Sequence, residues 1–212
     1  MHWMDIVQNC SDQQLATGIA NQQIDDEVYC KSFWMQICIE DFAVPSWNRL
    51  LAMHHMERAK CRSLIHNIVG ETVSGRVPSE LALAEYDMLN RPTKKRKEQL
   101  SKLRIVHKFE YARLKRFLKN GHERPFITQR PKEFDDQVEV LFWHTRRRLI
   151  DIDNLSTKAV MDGLVEIGLL PDDNAKKVVQ IGHRQRRCTD PGDPEALHIQ
   201  ISEHIETDEE LW

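Results

Sequence analysis

Four aspartates in two pairs could do chemistry: Asp151 and Asp153 in the run DIDN, and Asp172 and Asp173 in the run LLPDDN. Carboxylates gathered in this number repel one another, and a bound cation relieves the repulsion. Mg²⁺ suits them, because it takes oxygen ligands at about 2.0–2.1 Å and prefers carboxylates and water. The reaction that calls for it is hydrolysis of a phosphodiester. The scissile phosphate is already negative, so an attacking hydroxide is repelled and the leaving alkoxide must be stabilised. Two divalent ions about 3.5–4 Å apart serve both needs. Each pair also has an ordinary structural explanation. DxD is common, Asp153 can cap a helix, and Asp172 can form a turn.

To bring the pairs together the chain must extend, turn and come back. Gln137 to Thr145 (QVEVLFWHT) alternates like a strand, with Val138, Val140 and Phe142 on one face. Arg146, Arg147 and Arg148 follow as a loop. Asp151 and Asp153 then flank one residue at the end of an extended segment, where alternation points both side chains the same way. Asp153 or Asn154 caps a helix through Ile167, with Leu155, Ala159, Val160, Leu164 and Ile167 as its apolar stripe. Gly163 permits close packing and Gly168 stops the helix. This helix can return Asp172 and Asp173 towards the first pair. A strand Val178 to Arg187, a turn at Asp190-Pro191-Gly192 and a last strand Leu197 to Glu203 complete the unit.

Upstream, Ser32 to Glu40 alternates Phe33, Met35, Ile37 and Ile39 inward as a strand. Pro45 breaks the chain, and Ser46 caps a helix from Asn48 to about Val69. SELALAEYDML predicts a short helix ended by Arg91-Pro92. Thr93 then caps a longer helix to Lys119, with Gly121 just beyond its end. The expected fold is α/β (α+β): a mixed sheet of about four strands with two helices packed on it, plus a helical insertion. The expected organisation is a polar arm over 1–27, one domain over 28–203 with the insertion at about 70–123, and an acidic tail over 204–212.

Charge is unevenly distributed. The net charge is −3, yet from Arg91 to Asp190 Lys and Arg outnumber Asp and Glu by 24 to 14. A basic middle between acidic ends concentrates phosphate-bearing partners, although Lys-Arg runs are equally the solvated faces of helices. Arg146, Arg147, Arg148, Lys176 and Lys177 flank the acidic pairs and are the candidate phosphate contacts.

Other classes find little support. Cys10, Cys30, Cys38, Cys61 and Cys188 are odd in number and lack CxxC spacing, which predicts reduced, mostly buried thiols rather than a zinc site. There is no GxxxxGK[ST] and no Gly-x-Ser-x-Gly. His54, His55, His107, His144, His183, His198 and His204 are scattered. Trp34, Trp47, Phe142 and Trp143 could stack on unpaired bases, though burial is the commoner outcome. No apolar run approaches about 18 residues, and the N-terminus has no secretory character, so the expected location is the cytoplasm.

The ordered set of strand, arginine triplet, DxDN, helix and DD before another strand is more specific than its parts. The segment RRRLIDIDNLSTKAVMDGLVEIGLLPDDNAKKVVQI resembles the signature of the RusA family of Holliday junction resolvases, and VPSWNRLLAMHH resembles the Pro-Ser-x-Asn turn after that family's first strand. The resemblance covers about residues 32–69 and 125–203. It implies a small α/β homodimer, in a bacterial or phage-infected cell, that binds four-way DNA junctions and cuts two strands symmetrically with Mg²⁺. Asp151, Asp153 and Asp173 match the essential carboxylates, Asp172 a less critical neighbour, and Lys158 a lysine inside the helix. Two departures stand out: Lys158 lies four residues after Asn154 rather than three, as if one residue were inserted at Ser156-Thr157, and the insertion from about Gly70 to Glu123 has no counterpart in the compact members.

Overall fold

A computed structural model describes residues 34–120, 136–190 and 192–204. The polar arm, Phe33, Gly121 and the tail from residue 205 lie outside them. Strands β1 (Trp34–Glu40), β2 (Val138–Arg146), β3 (Val178–Arg187) and β4 (Ala196–Glu203) form one mixed sheet in the order β1-β4-β2-β3. Only β2 and β3 run parallel. Parallel neighbours need a crossover, and the helix over Lys158–Glu166 lies within it.

The helices are α1 (Trp47–Ala52), α2 (His55–Val73), α3 (Glu80–Asn90), α4 (Lys94–Val106), α5 (Lys108–Asn120) and α6 (Lys158–Glu166). Helix α2 packs against β1 and α6, and α3 packs on α2. Alternation buries Met35, Ile37 and Ile39 of β1, Val138, Val140 and Phe142 of β2, and Leu197, Ile199 and Ile201 of β4. Leu64, Ile65 and Ile68 of α2 and Val160 and Leu164 of α6 join them in one core. Gly163 lets α6 approach closely: a Cβ there would lie 3.3 Å from the ring of buried His66. Gly168, at φ 84°, ends that helix region as expected.

Three helix boundaries differ from expectation. The predicted Asn48–Val69 helix is two helices. Met53 is extended and buried, and His54 restarts the chain, its Nδ1 accepting from the Met56 N–H while Glu57 accepts from the His54 N–H at 3.1 Å. This is a capping box with imidazole in the place of the usual hydroxyl. The long basic helix is likewise divided at His107, at φ −102° and ψ 42°. The helix after DIDN starts at Lys158, preceded by a separate 3₁₀ turn over Ile152–Asn154.

The insertion is not an appendage at its start. Helix α2 runs through Gly70 to Val73, and Leu81, Ala82 and Tyr86 of α3 are buried in the common core. Tyr86 stacks on Phe42 and donates its hydroxyl to the Ala43 carbonyl at 2.6 Å. Among the described residues, no helix is long and apolar enough to cross a membrane.

Candidate active site and phosphate-binding surface

The parallel register sets Arg146 beside Arg187 and Thr145 beside Arg186, so two basic runs end side by side. Arg146 belongs to β2 rather than to the loop. Its guanidinium turns inward, donating to the Val44 carbonyl at 2.9 Å. Arg147 and Arg148 are exposed. So are Arg184, Arg186 and Arg187 of β3, three cations that local pattern marks only as strand residues in HRQRR. Their value depends on the parallel pairing with β2, which that pattern does not carry. Arg184 lies over the ring of Trp143 at 4.7 Å, and Arg186 donates to Thr145 Oγ1 at 2.8 Å. Arg186, Arg187 and His198 open onto a groove of about 320 Å³. None of the five exposed arginines forms an ion pair among the described residues.

DIDN is held at both ends. Gln185 of β3 accepts from the Ile150 N–H at 3.3 Å and donates to the Ile150 carbonyl at 2.6 Å. At the other end, Asn154 Oδ1 accepts from the Asn48 N–H at 3.1 Å, and Leu155 bridges to Ser46. Asn154 therefore caps α1, not the helix that follows it, and the Pro-Ser-Trp-Asn turn and DIDN form one unit. Asp153 is not a helix cap either: it sits in the 3₁₀ turn, and both it and Asp151 are exposed. The segment is a turn, not the extended run that alternation predicts.

Asp173 reaches the first turn of α6. Its carboxylate accepts from Lys158 Nζ, which also pairs with Asp162 at 2.8 Å. The hydrogen bond from Lys158 holds the Asp173 pKa below the usual range, while bonds to Asp162 and then Asp173 raise that of Lys158. Ser156 and Thr157 precede α6, so an extra residue there leaves the internal phase of the helix intact. Asp172 accepts from the Asp173 N–H at 2.7 Å and from the Asn174 side chain at 2.5 Å, the work of a turn-forming residue. Lys176 is exposed; Lys177 is half-buried at the start of β3.

Two histidines that look unrelated in sequence are neighbours. His144 and His183 stack at 5.7 Å with facing nitrogens 3.5 Å apart. Burial, then the charges of His183 and Arg146, push the His144 pKa down to about 3. It is therefore neutral near pH 7 and acts as packing. Phe142 is buried, whereas Trp47 and Trp143 are exposed. Of the described cysteines only Cys61 is buried, its thiol pKa raised to about 11 chiefly by desolvation.

Among the described residues, no three acidic, histidine or cysteine side chains are grouped closely enough to hold a metal. The carboxylates offered by Asp151, Asp153 and Asp173 are nonetheless the hard oxygen donors that Mg²⁺ takes, and two of them are exposed. Asp173 is already compensated by an ammonium. Scanned against models of known protein families, the chain matches none, and a search of curated proteins finds no match.

Proposed function

We propose that this chain is a Mg²⁺-dependent endonuclease that cuts branched DNA, four-way junctions among them, and that it works as a homodimer. The observation that supports this best is one end of the β2–β3 pair. There Arg147 and Arg148, just after β2, and Arg186 and Arg187 of β3, all exposed, stand beside DIDN, whose position is fixed by Gln185 and Asn154. Ligand sites in parallel α/β units favour the carboxyl ends of strands. The resemblance to the RusA family supports the same assignment.

In this mechanism Arg147, Arg148, Arg186 and Arg187 hold backbone phosphates, and Lys176 and Lys177 add charge at the start of β3. Arg146 keeps the end of β2 on the Val44 loop, a positioning role. Asp151, Asp153 and Asp173 would hold Mg²⁺, supported by Asp172, and the metal would supply positive charge to the attacking and leaving oxygens. Lys158 holds Asp173 ionised and oriented. A junction offers two equivalent strands, which a twofold-symmetric dimer meets with two equivalent sites.

A cleavage panel of four-way junction, flap, fork and linear duplex, with Mg²⁺ and with EDTA, tests the proposal. Paired nicks in the junction only with Mg²⁺ support it. Flaps cut in preference to junctions would make the chain a general branch nuclease, and binding without cutting a DNA-binding protein. Replacing Arg147, Arg148, Arg186 and Arg187 with Gln is expected to flatten the salt dependence of binding, by about 0.9 in log–log slope for each phosphate that an arginine no longer neutralises. Anisotropy titrations across salt concentrations measure this, and an unchanged slope would remove these side chains from the DNA interface.

A further inference from the structure

Helices α4 and α5 meet in a corner at His107 whose outside is apolar. Ile105 is 77% exposed, Val106 72% and Phe109 82%. Leu100 and Leu114, one on each helix, are buried in the common core. The corner is held by the His107 N–H bond to the Leu103 carbonyl and the Tyr111 N–H bond to the His107 carbonyl, both 2.8 Å. Lys108 Nζ lies 5.1 Å from the centre of the Phe109 ring, and Lys102 is one turn before Ile105 and Val106. Neither lysine has an ion-pair partner among the described residues. Three large apolar side chains close together at a helical corner, flanked by cations, suit an occupant that is both flat and anionic.

We propose that Ile105, Val106 and Phe109 form a wedge that enters the base stack of DNA at a branch point, with Lys102 and Lys108 on the flanking phosphates. Apolar side chains inserted between base steps are a general means of opening or kinking a duplex. Bases at a branch are the least costly to unstack. Two other occupants fit less well. A second copy would bring lysines against lysines, and three side chains cover far less than the about 800 Å² per partner of a stable interface. A membrane-surface helix needs an apolar face along its length, whereas here Leu100 and Leu114 turn inward and only the corner is apolar.

The inference rests on the proposed action on branched DNA, but its test requires no cutting. A four-way junction carrying 2-aminopurine at the branch point is titrated with the full chain in EDTA. Binding is expected to raise the fluorescence severalfold as the base unstacks. Phe109→Ala, and separately Ile105→Ser with Val106→Ser, should remove most of that rise and weaken junction binding about tenfold, the scale of removing one aromatic–base stack. Linear duplex binding should change less than about twofold. All three positions are exposed, so circular dichroism should show unchanged folding.

A parent protein that binds the junction without the fluorescence rise overturns the wedge, as do variants that match it. Variants that change the sedimenting mass would assign the corner to a second copy. Phe109-dependent pelleting with phosphatidylserine vesicles, without the fluorescence effect, would assign it to a lipid surface. Unstacking without Mg²⁺-dependent cleavage would sink the nuclease proposal and keep the wedge; cleavage without unstacking would do the reverse.

Discussion

Asp153→Asn and Asp173→Asn are each expected to reduce Mg²⁺-dependent cleavage at least about a hundredfold while leaving the protein folded and able to bind a junction. Asparagine preserves the shape of the side chain but removes the charge that would hold a divalent cation. Asp153 is exposed in its 3₁₀ turn and caps no helix, so its replacement removes no packed group and no cap. Asp173 loses its ion pair with Lys158, a surface interaction of small stabilising value. On the proposed function junction binding should hold or tighten, since each change removes negative charge from the surface proposed to meet phosphates. Asp172→Asn should be milder, because that carboxylate organises the loop through the Asp173 N–H and Asn174. Gel-based cleavage, anisotropy binding and thermal melting separate these outcomes. Wild-type rates in both variants would refute the carboxylate mechanism.

What could be anticipated from sequence was whatever local pattern controls. Alternation located the buried faces of β1 and β2, because a half-buried strand must place apolar residues every second position. Ser46 was legible as a cap, and its hydroxyl accepts from the Arg49 N–H at 3.1 Å. Asn154 was legible as a cap too, but of the wrong helix: its partner Asn48 is 106 residues away, and no local rule reports such a partner. The break at His54 was hidden because histidine rarely caps, and only Glu57 three residues on hinted at it. The arginines of β3 stayed hidden for the same reason as Gln185. Their value comes from the parallel pairing with β2, which a helical crossover creates and which pattern alone does not register.

Glu195 shows the same non-local logic in the energetics, and its replacement carries the largest expected stability change. It is 7% exposed, and nothing local in the turn before β4 marks it as special. One carboxylate oxygen accepts from the Arg147 N–H at 3.1 Å, and the other pairs with Arg91, the residue that ends α3. Its own carbonyl accepts from Phe42 N–H at 3.1 Å. One side chain thus fastens the insertion to the end of β2 that carries the arginines. Burial alone would raise its pKa, but the Arg91 bond, the Arg147 N–H and the charges of Arg91 and Arg146 outweigh it, leaving the pKa below the ordinary 4.5. Glu195→Gln keeps the volume and removes the charge, leaving Arg146 without its nearest carboxylate and Arg91 with Asp87 alone, 2.7 Å away. The expected loss is about 2 kcal/mol, below that for breaking an isolated buried pair, because Arg91 keeps Asp87 and is 38% exposed, so water recovers part of its charge. The sign with pH follows from the lowered pKa. The contribution is complete above the unfolded value near 4.5 and disappears as pH falls through the lower folded value. Urea denaturation at pH 7 and at a series of pH values below 4.5 should therefore show the two proteins converging in acid. A gap between them that persists unchanged below the folded pKa would mean that the loss arises from packing rather than from the charge on Glu195.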